Sequence, residues 1–170
     1  MKQLIAFLLP AALMAATAQV AAQADTARLD EVERRGSQVM PFDLAQTTHV
    51  FTKTDTGGVQ QVVAKDNADS RQIQLIQGHL RKIAEEFRQG DFADPAKIHG
   101  ADMPGLAALA AAKPNQLTIG YRDLPNGAEI VYSSAVPNLI AAIHKWFNAQ
   151  LADHARHAVA GHPNHQMHHQ

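Results

Sequence analysis

Apolar and polar residues alternate in two rhythms along this chain. TTHVFTK (47–53) and VQQVVAK (59–65) are strand-like runs. DTGG (55–58) separates them and reads as a tight turn, because glycine supplies the positive φ such turns need. DNAD (66–69) offers helix caps. From Ser70 to Arg88 the rhythm changes. Ile73, Ile76, Leu80, Ile83 and Phe87 recur at helical spacing, which predicts one buried stripe on an amphipathic helix ended by Gln89-Gly90.

The second half repeats this grammar. QLTIGYRD (116–123) predicts a strand with Leu117, Ile119 and Tyr121 on one face. LPNG (124–127) is a hairpin turn, and AEIVYSS (128–134) returns. Pro137 suits the first turn of a helix that buries Ile140, Ile143, Phe147 and Leu151. The pattern predicts an α+β fold of duplicated ββα units, 43–90 and 115–157, forming an antiparallel four-stranded sheet with both helices packed on one face. The connector 91–114 carries two helix-start signals, Asp94-Pro95 and Asp102-x-Pro104. A polar lead (25–40) precedes this single domain (41–157), and a flexible His-rich tail (158–170) follows it.

Residues 1–24 have the layout of a cleaved secretory signal. Lys2 precedes an apolar run from Leu4 to about Ala16, and Ala22-Gln23-Ala24 offers a cleavage site. The run is short for a bilayer span of roughly 20 residues. The expectation is therefore export to a periplasmic or extracellular space, with no membrane attachment once the signal is removed. A formal net charge of −1 and the lack of a basic patch argue against nucleic acid as a partner. There is no cysteine, which excludes disulfides, a thiol nucleophile, thiolate metal sites and covalent haem attachment. A metal ion would have to be held by His, Met, Asp or Glu, and His with Met suits copper.

The chain has ten histidines, and these are the candidate ligands. His49 lies on the first strand, His79 at the edge of the first helical stripe, His99 in the connector and His144 on the second helix. Met103 stands four residues after His99, and a thioether favours Cu(I). His154 and His157 are one helical turn apart, close enough to share an ion. His162, His165, His168 and His169 form an interrupted His-rich end of the kind that binds metal by composition. Each internal candidate also has a plainer reading. A histidine at a helix boundary is often a hydrogen-bonded edge residue, Asp102 reads as a helix cap and Met103 as a core filler.

THVF (48–51), GDFADPAKIHGADMPGL (90–106), LPNGAEIVY (124–132) and AAIHKWFNAQLADH (141–154) resemble a set of short exported bacterial proteins often labelled aspartate carbamoyltransferase. The resemblance spans 42–157, and its label implies a carbamoyl-transferring enzyme. The residues depart from that chemistry. Ser70-Arg71-Gln72 is not a Ser-x-Arg-Thr loop, and the only His-Pro is His162-Pro163. No Gly-x-Ser-x-Gly, His-Glu-x-x-His or P-loop pattern occurs. The first expectation is a periplasmic metal-binding protein, copper before zinc or haem, that buffers or delivers the ion. Its affinity would fall with pH through the histidine range near 6.5. The second is a small-molecule or protein-binding module with structural histidines and a groove near Tyr121, Tyr132 and Trp146. An enzyme is the third.

Overall fold

The computed structural model describes residues 26–162. The signal segment 1–24 and the tail histidines His165, His168 and His169 lie outside the described residues. The fold is α+β. Helix α1 covers residues 26–39. Then come β1 (Thr47–Thr54), β2 (Gly57–Ala64), α2 (Ser70–Arg88), α3 (Ala93–His99) and α4 (Leu106–Ala110). The chain ends with β3 (Thr118–Leu124), β4 (Gly127–Ser133), α5 (Pro137–Asp153) and β5 (Ala158–Ala160).

The hairpins and both long helices form where the residue pattern places them. Thr54 pairs with Gly57, so Asp55-Thr56 is a two-residue turn, and Leu124 pairs with Gly127 around Pro125-Asn126. The Asp69 side chain caps α2 by accepting from the Gln72 amide at 3.0 Å. Pro137 occupies the first turn of α5, where no N–H is needed. The sheet, however, is five-stranded and mixed, in the order β3-β4-β2-β1-β5. Four strands are antiparallel neighbours, as expected. β5 adds to β1 in parallel, built from the start of the segment expected to be a loose tail.

The duplicated ββα units are not what the packing shows. Helix α2 follows the first hairpin but packs chiefly on β3 and β4, whereas α5 packs on β1 and β2. Each helix packs chiefly on the other hairpin, with α2 keeping a lesser contact to β2 of its own. The polar lead also needs correction. It is helix α1, whose Leu29, Val32, Gly36 and Val39 form an inward stripe diluted by charged neighbours, with Val32 fully buried. In the connector, α4 starts after Gly105, not at Asp102.

The core lies between one sheet face and the helices. His49, Phe51, Gln60, Val62, Ile130 and Tyr132 point into it. The inward stripe of α5 is rotated from the expected one: Leu139, Ile143, Trp146, Phe147 and Gln150 are buried. The rotation brings Trp146 edge-on to Tyr132, Phe87 and Phe92 at ring separations of 5.3, 5.9 and 6.1 Å. Such edge-to-face contacts suit aromatic quadrupoles. The opposite sheet face carries a polar ladder, with Glu129 bound by Arg122 at 2.9 Å and Gln61 at 2.7 Å.

Close approach of α4 to α5 depends on Gly105. Its φ is +85°, and a Cβ there would lie 2.2 Å from the Ala142 carbonyl oxygen. Gly105→Ala should lower stability by about 2 kcal/mol or more. Gly78→Ala, mid-helix with nothing within 4 Å of the new carbon, should raise it by about 0.5–1 kcal/mol. Urea denaturation of the two variants checks both signs.

Candidate functional site

One cavity, of about 40 Å³, gathers most of the internal histidines. By the usual measure that is room for about three water-sized groups. It lies between the His49 end of β1, the C-terminal turn of α3 and the last turns of α5. His49, His79, His99, His154, Gln60 and Trp146 line it.

Local structure fixes each histidine. His49 alternates with Phe51 on the buried face of β1 and is 3 % exposed. His99 ends α3, which Gly100 terminates with φ +99°. His154 caps α5, turned inward and 6 % exposed. The His154 ring stacks on His49 at 5.1 Å and stands edge-on to His99 at 4.9 Å. His79 sits at the half-buried edge of α2, edge-on to Phe42 at 5.6 Å.

Asp153 orders this cluster. His99 Nδ1 donates to Asp153 Oδ2 at 2.8 Å. An ionised carboxylate only accepts, so Nδ1 carries the hydrogen, and in the neutral ring the lone pair is on Nε2. Arg28, on α1, grips both Asp153 oxygens at 3.1 and 2.6 Å and donates to the His99 carbonyl at 2.8 Å. Burial pushes the Asp153 carboxyl up, but hydrogen bonds from His99 and Arg28 outweigh it and hold the pKa at about 2.

His49, His79 and His154 are held in the neutral form. Burial, reinforced by the neighbouring His157, His79 and His99, lowers His49 to about 3. Burial lowers His79 to about 4, with Lys82 adding to the effect. Burial also drives His154 well below its ordinary value. Two polar atoms on the cavity are buried without a hydrogen-bond partner, His49 Nε2 and Trp146 Nε1. Buried polar atoms normally find a partner, and these two have none among the described residues, although both residues line one cavity.

Not every sequence candidate joins this site. His144 Nε2 donates to the carbonyls of Gly57 and Thr54 at 2.9 and 3.0 Å, pinning α5 to the first hairpin turn. Met103 lines a shallow groove with Asp102, Asn138 and Lys145 instead. Asp102 caps no helix, since Gly105 is the N-cap of α4. His162 is exposed beyond β5. Tyr132 and Trp146 are in contact, but Tyr121 lies elsewhere, on β3 beneath the guanidinium of Arg81 from α2. Among the described residues, no three His, Asp or Glu side chains already converge with metal-ligand geometry.

Sequence reasoning missed Arg28, Asp153, Gln60 and Gln150. Asp153 precedes His154 directly, but its partners lie 54 and 125 residues away, so only the fold reveals them.

Neutral buried histidines make the fold acid-sensitive. The unfolded chain takes up protons from pH 6.5 downward, whereas folded His49 does so only near 3 and His79 near 4. The unfolded state therefore binds more protons in that window, and stability falls as pH falls. The melting temperature should drop steadily from pH 6.5 to 4, and His79→Gln should flatten the slope. A melting temperature flat across this range would contradict the assignment.

Comparison with protein families, curated proteins and solved structures finds no match, so the reading of this cavity stands on its own residues.

Proposed function

We propose that the domain holds one transition-metal ion, copper in preference, in the histidine cavity, and that it buffers or delivers the ion in an exported setting. The observation that carries this reading is the unpartnered Nε2 of His49, beside His154 and His99 on one buried cavity. Imidazole nitrogens that are already neutral need lose no proton to bind. His99 has the support that ligating histidines usually have, a carboxylate on its other nitrogen that fixes tautomer and ring orientation.

The ring nitrogens of His49, His99 and His154 would replace water around the ion, after the stacked rings of His49 and His154 tilt apart. Met103 lies outside the cavity, so the preference for copper rests on nitrogen donors alone. Such sites bind Cu(II) above the other divalent first-row ions. Delivery requires only binding and release, with no bond made or broken in a substrate.

The second reading is a small polar molecule in the same cavity. The Trp146 indole N–H favours it, because this donor needs an acceptor that a bare metal ion does not supply.

Trp146 is the chain's single tryptophan and lines the cavity, so it serves as the reporter. Cu(II) added to a chain ending at His162 should quench its fluorescence with one-to-one saturation. His99→Ala and His154→Ala should each weaken binding at least tenfold, and His144→Ala should leave it unchanged. The absence of saturable quenching sinks the metal reading and leaves the small-molecule one.

A further inference from the structure

A second, water-sized cavity of about 10 Å³ adjoins the first and is lined by Glu33, Leu44, Asp153, His154, Arg156 and His157. His154 lines both cavities and is the residue they share. His157 has both ring nitrogens buried and without hydrogen-bond partners. Its place is fixed, because its carbonyl accepts from the His49 amide at 2.7 Å where the chain approaches β5.

Across this small cavity stands Glu33, on α1. Arg156 Nη1 takes one of its oxygens, Oε2, at 2.8 Å. The other, Oε1, faces His157 Nε2 at 3.8 Å. That gap is too long for a hydrogen bond. Two donors sharing one ion through bonds of about 2.0–2.2 Å at a tetrahedral angle stand about 3.3–3.6 Å apart, so a closing shift of a few tenths of an ångström would let this pair hold one. Glu33 is about two-fifths exposed and His157 about one-eighth, so the pair grades from solvent toward the interior.

We infer that His157 and Glu33 form an entry site, where a metal ion is first taken from solvent before passing His154 into the buried cluster. The inference rests on the proposed function. Two protein ligands hold an ion weakly, which suits transit, and the deeper site offers three imidazoles. Asp30 shares the Arg156 guanidinium at 2.6 Å, which anchors that cation on α1. The entry site exists only while α1 is docked, because Glu33 belongs to it.

The test is stopped-flow mixing of Cu(II) with the chain from residue 25 to 170, read by Trp146 quenching. His157→Gln and Glu33→Gln should each slow the loading rate at least tenfold. The final quench and the equilibrium affinity should stay within twofold, so release slows in proportion. Glu33→Gln changes a half-exposed side chain and keeps the fold, which melting temperature verifies. Unchanged loading rates in both variants overturn the entry site while the buried site stands. A tenfold loss of affinity at unchanged rate also overturns it and makes His157 a ligand of the final site. If the parent chain itself shows no saturable quenching, the buried site fails, and the entry site with it.

Discussion

A single carboxylate joins three helices around the cavity. Asp153, in the last turn of α5, accepts from His99 on α3 and from Arg28 on α1. Charge-assisted hydrogen bonds of this kind contribute about 1.5–3 kcal/mol each when shielded from water. The Arg28 side is partly exposed and therefore weaker, whereas the His99 side is closed. Without Asp153, a buried imidazole N–H and a guanidinium would each lose a partner, and α1 would lose its polar hold beside the site. The placement of His99, His154 and α1 relative to one another therefore leans on one side chain.

The elements that follow from local rules were legible in the residues. The hairpin turns, the cap at Asp69, the α2 stripe and Pro137 are settled by neighbours a few positions away. What was not legible is long-range. Alternation in β1 and β4 says which residues face inward, but not that α2 will cross to the second hairpin. The α5 stripe was misread by about one position, because the pattern gave Ile140 and Leu151 the weight that Trp146 and Gln150 carry in the structure. Helix α1 was hidden by its charges, although Leu29, Val32, Gly36 and Val39 keep helical spacing. In the site, His49, His79, His99 and His154 were legible as candidates. His144 and Met103 separated from them because a residue's type says nothing of which side of a helix meets which neighbour.

The histidine cavity is held against ordinary folding pressure. An apolar side chain at position 49 would fill space and leave no orphaned nitrogen, and it would not expose the fold to acid. The chain instead stacks His154 on His49 and sets His99 edge-on to His154, in an interior that also holds Phe87, Phe92, Tyr132 and Trp146. Departures of this kind are where a fold gives up stability for a site.

The short parallel strand β5 has a consequence beyond the sheet itself. It covers the outer edge of β1, with the Gly161 amide continuing the ladder onto the Phe51 carbonyl. Gly161 fits against Thr52 so closely that a Cβ would lie 2.0 Å from the Thr52 hydroxyl. An uncovered β1 would offer open N–H and C=O groups beside exposed Val159's present position, a template for strand exchange between molecules. Removal of residues 157–161 would thus strip β1 of its neighbour at His49, Val50 and Phe51 and open that stretch of backbone to pairing with another chain.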